Sequence, residues 1–307
     1  MKKVLITGGA GFIGSNLVDE LIDGGIDVII LDDLSTGKKE NINAAATFIQ
    51  CDIATTTIEK LLPFFEGVDT VFHIAALARV QPSIEDPLPY NDVNITGTLR
   101  VLLSAYKAGV KRVIYSASSS AYGEATEFPT PETHSTNPLS PYGLQKLVGE
   151  QYCKMFSEVY NLDTVSLRYF NVYGERMVDE GAYCTVIGVF GKQLREGKDL
   201  TITNDGEQVR DFTYVKDVVQ ANILAALHPT DLKGDIFNVG TGETYSVNQI
   251  ADIMGGEKTY GEKRIEPFRT LADNSKIKEV FGWAPTGNVV KWVKNYTDKI
   301  LNPITIL

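Results

Sequence analysis

One unit near the start of the chain constrains the fold most. Residues 4–7 (VLIT) form a short apolar run with the length and flanks of a buried strand. It ends in GGAGFIG, with Gly8, Gly11 and Gly14. Helical apolar spacing follows at Leu17, Val18, Leu21 and Ile22, and Gly24 and Gly25 stop it. A second apolar run, 27–31, ends at Asp32 and Asp33. Strand, glycine turn, helix, strand and acid in this order predict two parallel strands joined by a crossover helix. Small residues in the turn let a pyrophosphate approach the backbone, and a helix N-terminus favours its charge. The spacing G-x-x-G-x-x-G differs by one residue from the G-x-G-x-x-G fingerprint. Asp32, 18 residues past Gly14, is near the place of a carboxylate that binds a ribose diol. A glycine-rich turn alone occurs in many loops, but all five parts in register point to a dinucleotide. A carboxylate at Asp32 repels a 2′-phosphate, and LDDLSTGKK contains no arginine, which favours NAD over NADP.

The alternation continues. Strands are predicted at 47–51, 68–75, 112–116 and 162–168, with helices over 91–109 and from Tyr142 to about Tyr160. With no hairpin signal, this reads as a Rossmann-type, doubly wound parallel sheet of the α/β class. Ligands in such sheets sit at the carboxyl ends of strands. GGAGFIG, Asp32, Asp52, Ala75–Ala76, SASSS and Arg168–Asn171 all fall there. After Asn171 the rhythm breaks. A polar loop over 174–181, a helix over 183–195, a strand over 200–203 and a turn at Asp205–Gly206 are expected. The helix Val215–Leu227, a strand over 236–239 and helices Val247–Met254 and 277–281 follow. The organisation expected is an NAD-binding domain over 1–170, with 211–240 returning to it. Residues 171–210 and 241–307 would form a smaller C-terminal α/β substrate lobe.

The composition excludes several classes. The chain has 307 residues, 43% hydrophobic and 22% charged, which is enough for a large core. A formal charge of −10 does not attract a phosphate backbone, so no nucleic-acid partner is expected. Cys51, Cys153 and Cys184 are odd in number and far apart, so neither a disulfide framework nor a metal site is expected. His73 lies in a predicted strand and reads as a core residue, while His134 and His228 lie in loops. Glycines interrupt the first apolar run too early for a signal peptide, and no run approaches about 18 apolar residues. A soluble, cytoplasmic chain with no membrane contact is expected.

SPYGLQK, residues 140–146, carries the clearest chemistry. Ser140 is a good N-cap and Pro141 suits the first helical position. Tyr142 and Lys146 then share one helix face. A free phenol has a pKa of about 10. A nearby ammonium and a positive helix end favour the phenolate, which suits Tyr142 to act as a base. Packing of the tyrosine beside a solvated lysine is the alternative. Ser118, Ser119 and Ser120 end the strand that begins at Arg112. They either cap a turn or bind a substrate hydroxyl that Tyr142 deprotonates.

GGAGFIG, FHIAA, SSS-x-YG, SPYGLQK, RYFNVYG, GEQVRDFTYVKD, FNVGTGE and LADNSK occur in this order across nearly the whole chain. Together they resemble the extended short-chain dehydrogenase/reductase family and, within it, the UDP-glucose and UDP-N-acetylglucosamine 4-epimerases. The resemblance implies that Gly8, Gly11, Phe12, Ile13 and Gly14 hold the NAD pyrophosphate and Asp32 the adenosine ribose. It implies Asp52 and Ile53 at the adenine, with Ala75, Ala76, Asn94 and Tyr169 lining the cofactor cleft. Ser118, Tyr142 and Lys146 match the family's catalytic triad, and Tyr142 and Lys146 also meet the cofactor. For a UDP-sugar, Ser119, Ser120, Asn171 and Arg210 match contacts to the substrate and its diphosphate, and Thr201 and Thr203 fall where uracil is cradled. Arg264 or Arg269 would clamp phosphate. The implied reaction removes the sugar 4-hydroxyl proton and passes hydride from C4 to NAD. The 4-keto sugar then turns over and receives the hydride on its other face.

Sugar-nucleotide dehydratases of the family resemble this chain but carry Asp-Glu where Ser119 and Ser120 stand, and decarboxylating relatives carry a glutamate. Serines cannot serve as that acid–base pair, which favours epimerisation over dehydration or decarboxylation. Another sugar-nucleotide dehydratase or reductase of the same fold is the alternative, and an intact Ser118, Tyr142 and Lys146 argues against a non-catalytic NAD-binding protein. Thr270 stands where epimerases restricted to plain hexoses carry a tyrosine gate. Either this small residue admits N-acetylated sugars, or a shifted loop removes it from the site. The resemblance also implies a homodimer, with the 91–109 and 142–160 helices pairing across the interface.

Overall fold

The computed structural model describes residues 1–178, 185–264 and 266–302. Its first half builds six parallel strands. These are β1 (Lys3–Thr7), β2 (Asp27–Asp32), β3 (Thr47–Gln50), β4 (Thr70–His73), β5 (Arg112–Ser118) and β6 (Asp163–Tyr169). The helices between them are α1 (Phe12–Asp23), α2 (Ile58–Phe65), α3 (Val80–Glu85), α4 (Pro87–Asn91), α5 (Thr98–Ala108) and α6 (Pro141–Tyr160). Beyond them lie β7 (Val172–Tyr173), α7 (Val186–Arg195), β8 (Leu200–Ile202), β9 (Val209–Asp211), β10 (Thr213–Tyr214) and α8 (Val215–Leu227). The chain closes with β11 (Asp235–Val239), β12 (Thr244–Ser246), α9 (Val247–Met254), β13 (Lys258–Tyr260), α10 (Ser275–Phe281) and α11 (Val289–Leu301).

The main sheet has seven strands in the order β11-β6-β5-β4-β1-β2-β3, and every pairing is parallel. This is the doubly wound α/β fold that the sequence predicts. The order reverses between β1 and β4, which opens a crevice at their carboxyl ends. One face of the sheet packs with α1 and α8 through Val4, Ile6, Leu17, Val18 and Val218. The other packs with α2, α5 and α6 through Leu5, Phe65, Val101, Leu102 and Phe156. A third cluster, including Ile187, Phe190, Leu200, Ile250 and Val293, is the core of the outer lobe.

Local chemistry explains the long helix. Ser140 Oγ accepts from Gly143 N at 3.1 Å, with Pro141 at the first helical position. Such a cap stabilises a helix by about 1 kcal/mol. Asn161 ends it in the left-handed region, at φ 54°.

Three expectations change. The single helix over 91–109 is broken into α4, a π-turn at Asp92–Gly97 and α5, whose end is Gly109. The interval 241–307 does not all belong to the lobe, because Ile277, Phe281 and Trp283 pack into the first sheet core beside β11. The helix over 183–195 begins at Val186 among the described residues. Gly181, Tyr183 and Cys184 lie outside the described residues. The strand predicted over 200–203 is β8, while helices α2, α3 and α11 and the short strands β7, β9, β10, β12 and β13 are additions to the predicted pattern.

Candidate active site

A cavity of about 830 Å³ runs from the glycine turn after β1 to the outer lobe. Gly8, Gly11, Phe12, Ile13 and Gly14 form its wall at one end. Gly8 has φ +72°, and a Cβ there would lie 2.8 Å from the Ala75 backbone. A Cβ on Gly14 would lie 2.1 Å from Gly8 O, so only glycine permits this close turn. No side chain caps the first turn of α1, so its backbone N–H groups present their partial positive charge towards this wall.

Asp32 lines the same end of the cavity. Its Oδ2 accepts from Ala10 N at 2.9 Å and its Oδ1 from Leu34 N at 2.8 Å. Burial raises its pKa, and these two backbone bonds oppose the rise. Each oxygen retains a lone pair for a further donor. Ile53, Ala75, Ala76 and Tyr169 also line the cavity. Asp52 is placed differently. Its carboxylate is used in the turn, accepting from Ala54 N and Thr55 Oγ1, each at 2.7 Å. Asn94 stands behind the wall, where its amide bonds both the N–H and the C=O of Leu77 at 2.9 Å. Leu77 is the residue that reaches the cavity.

Ser118, Ser119, Ser120 and Tyr142 meet in the middle of the wall. Ser120 Oγ donates to Ser118 Oγ at 2.8 Å, and the Ser118 side chain favours the Tyr142 phenolate. Ser83 Oγ accepts from Tyr142 N at 3.1 Å, which pins the start of α6 to α3. Lys146 follows Tyr142 by about one turn on α6. Its Nζ donates to Ser116 O at 2.7 Å and lies 5.0 Å from the Tyr115 ring centroid. Burial pushes its pKa down to about 7, against the charge of Glu150. The Tyr142 pKa is raised rather than lowered. Loss of solvent is the largest cause, opposed by the Ser118 bond and the charge of Arg79. Arg79 is thus a nearby cation that acts on Tyr142. His73 is the satisfied core residue predicted, bonded to Thr7 Oγ1 at 2.7 Å and Thr98 Oγ1 at 2.8 Å.

Asn171, Thr201, Thr203, Arg210, Arg264 and Thr270 line the outer half of the cavity. Asn171 Nδ2 donates to Asp211 O and to Thr270 Oγ1, both at 3.0 Å. Thr270 therefore belongs to the cavity wall. Arg269 is turned away, with its guanidinium 4.8 Å from the Phe128 ring centroid, which leaves Arg264 as the cavity-lining member of that pair. Three residues escape the sequence reading. Glu266 lines the cavity and accepts from Arg210 Nη2 at 2.6 Å and Asn204 Nδ2 at 2.9 Å. Gln208 donates to Thr203 O at 3.0 Å. Gln193 holds Thr201 by its backbone N–H at 3.1 Å and its hydroxyl at 2.8 Å. Gln208 lies inside the GEQVRDF motif, while Glu266 is brought to Arg210 only by the fold. Behind this wall, Asp211 accepts from Thr241 N, Thr241 Oγ1, Gly242 N and Ala272 N at 2.7–3.1 Å.

Comparison with known proteins matches residues 4–240 to the NAD dependent epimerase/dehydratase family. The chain belongs to this family. A UDP-glucose 4-epimerase of Mycolicibacterium smegmatis is 37% identical, covering 92% of this chain and 93% of its own. The structure of a Thermotoga maritima UDP-glucose 4-epimerase with UDP-glucose superposes with a TM-score of 0.91 at 39% identity, covering 96% of this chain and 97% of that one. That of a Methanobrevibacter ruminantium UDP-N-acetylglucosamine 4-epimerase with UDP-N-acetylmuramic acid gives 0.90 at 37%, covering 98% of each.

The NAD of this epimerase/dehydratase family suits the residues present. The Gly8–Gly14 turn leaves room that a Cβ would fill, α1 offers uncapped amides, and Asp32 offers carboxylate oxygens for a ribose diol. Among the described residues, no cluster of three or more His, Cys, Asp or Glu is placed to hold a metal ion. No described helix is long and apolar enough to cross a membrane.

Proposed function

We propose that the protein is a NAD-dependent sugar-nucleotide 4-epimerase acting on UDP-glucose and UDP-galactose, and also on their N-acetylated counterparts. The observation that carries this reading is that Ser118 and Tyr142 share the cavity wall between the glycine turn and the outer lobe, where Ser118 favours the Tyr142 phenolate. Tyr142 takes the proton of the sugar 4-hydroxyl and later returns it to the same oxygen. Ser118 hydrogen-bonds that oxygen and steadies its charge. Held by the Gly8–Gly14 turn and Asp32, NAD would supply a reversible hydride acceptor. Arg210 and Arg264 anchor the diphosphate while the sugar reorients, and Thr201 and Thr203 meet the uracil. Epimerisation asks for no acid–base pair beside Ser118, and Ser119 and Ser120 provide none.

The division of labour follows the same reading. The 1–170 segment, with 211–240, binds NAD. The 171–210 and 241–307 segments bind the UDP-sugar, apart from the 277–283 stretch packed under the sheet. The mechanism calls on no metal and suits a cytoplasmic enzyme. A homodimer is supported by apolar side chains left exposed on α4 and α6, with Leu88 at 72%, Leu144 at 51% and Val159 at 67%. Multi-angle light scattering at the mass of a monomer would count against that dimer.

Incubation of the protein with UDP-glucose and UDP-N-acetylglucosamine separately, read by NMR of the C4 epimers and by mass, tests the reaction. An epimer keeps the substrate mass. A product lighter by one water would replace this reading with a dehydratase.

A further inference from the structure

The buried pair of Glu150 and Arg168 plays no part in the chemistry above, yet Glu150 shares a helix face with two residues that do. Tyr142, Lys146 and Glu150 follow one another at intervals of four along α6. Lys146 is only 3% exposed, and its ammonium rests on Ser116 O at 2.7 Å. The side chains of Glu150 and Arg168 are each 2% exposed. Arg168 grips both carboxylate oxygens, Nε to Oε1 at 2.8 Å and Nη2 to Oε2 at 2.6 Å. Its guanidinium lies 4.4 Å from the Tyr122 ring centroid, and Tyr122 donates to Asn238 Oδ1 at 2.7 Å. This fork fixes the position of the carboxylate from the β6 side.

A cation as deep as Lys146 tends to shed its proton unless an anion faces it. The titratable groups around it come from three elements. Tyr142, Glu150 and Cys153 lie on α6, Tyr115 on β5 and His73 on β4. Burial pushes the Cys153 thiol up to about 12 and the Tyr115 phenol well above its ordinary value, so both remain neutral. It pushes His73 down to about 3, so that ring is neutral too. Burial also raises the Glu150 pKa, but the bonds and charge of Arg168 favour the carboxylate. Glu150 is the one member of this set that supplies a standing negative charge.

Resting on the epimerase reading, we propose that Glu150, clamped by Arg168, is a positioning residue that keeps Lys146 an ammonium seated on Ser116 O while Tyr142 exchanges its proton with the sugar. The carboxylate acts through Lys146 and touches neither substrate nor cofactor. Its loss would leave the binding of UDP-sugar intact and alter the pH range over which the enzyme works.

Two variants test this. Glu150→Gln keeps the shape and an acceptor for Arg168 but removes the charge. Glu150→Gln with Arg168→Met removes both charges, so no guanidinium is left buried without its partner. The Lys146 titration is read by NMR of lysine labelled at Cε, with no turnover required. The pH profile of UDP-glucose epimerisation is read beside it. The folded variants, the double variant above all, are expected to show the Lys146 midpoint and the alkaline limb of kcat at least one pH unit lower. KM is expected to be unchanged, and Glu150→Asp to recover most of the wild-type limb. A midpoint and limb that stay at the wild-type pH in the double variant would overturn the proposal, since a purely structural ion pair would leave both in place. If the wild-type protein fails to epimerise UDP-glucose, the lysine titration still decides whether Glu150 governs Lys146.

Discussion

The Ser120 hydroxyl donates to Ser118 Oγ across 2.8 Å, and Ser118 in turn favours the Tyr142 phenolate. The three hydroxyls form a line ending at the proposed base. Ser118→Ala should lower kcat by about 10²-fold or more, the usual loss on deleting a donor to a reacting oxygen. Ser120→Ala removes one supporting hydrogen bond, worth about 0.5–1.5 kcal/mol, and should cost a few-fold. Equal losses for the two variants in a steady-state assay would show that the line does not run in this order.

Tyr142→Phe should abolish epimerisation to within background, a loss of about 10²-fold at the least for a general base. The backbone of residue 142 stays pinned by Ser83 Oγ, so the helix and the glycine turn should be undisturbed. NAD bound per chain, measured by extraction and chromatography, should equal that of the wild type. Normal turnover by this variant would end the proposed mechanism.

Gly14→Ala places a carbon 2.1 Å from Gly8 O, a contact that only movement of the turn relieves. The variant should lose NAD binding by calorimetry, and its thermal unfolding should come at lower temperature. Retention of wild-type affinity would place NAD elsewhere in the cavity.

Thr270→Tyr would put a ring into the wall where Thr270 Oγ1 now accepts from Asn171. Turnover of UDP-N-acetylglucosamine should fall by tenfold or more relative to UDP-glucose, about 1.4 kcal/mol of discrimination. Equal losses on both sugars, measured as kcat/KM, would remove Thr270 from substrate choice.

His73 gives the protein a pH dependence with a definite sign. Its folded pKa is depressed to about 3 from an ordinary 6.5, because burial disfavours the imidazolium. Between those values the unfolded chain holds more protons than the folded one. Stability from this group is therefore complete above about pH 6.5 and declines as pH falls towards 3, by up to about 1.4 kcal/mol per unit. Urea unfolding of wild type and His73→Gln at pH 7 and pH 5 should show a smaller difference in the variant. An identical pH dependence would contradict the assignment.

The parallel sheet is legible in the sequence because its strands are continuous apolar runs ended by glycine, aspartate or serine. The boundaries of α6 are legible because Ser140 and Pro141 mark its start chemically. The π-turn at Asp92–Gly97 leaves the periodicity over 91–109 nearly helical, so its break is hidden. Helix α11 did carry signals, in the Asn288 cap and the buried positions Val289, Val293 and Thr297. The site is legible where function imposes a residue type, as at Gly8, Ser118 and Tyr142. It is not legible where contacts cross the chain. Glu266 meets Arg210 over 56 positions, and neither local spacing nor residue type points to that pairing. The direction of the Lys146 ammonium is likewise fixed by Ser116 O on another strand.

The carboxylate of Asp211 gathers donors from Thr241, Gly242 and Ala272, while its own strand carries Arg210. Three separate passages of the chain are thus knotted at one buried point behind the outer half of the cavity. The lobe cannot be lifted out as a transplantable module, because cutting any passage leaves charge or amide groups stranded at that knot. Grafting a different sugar preference onto this scaffold therefore means changing side chains that face the cavity, such as Thr270, and leaving the knot in place.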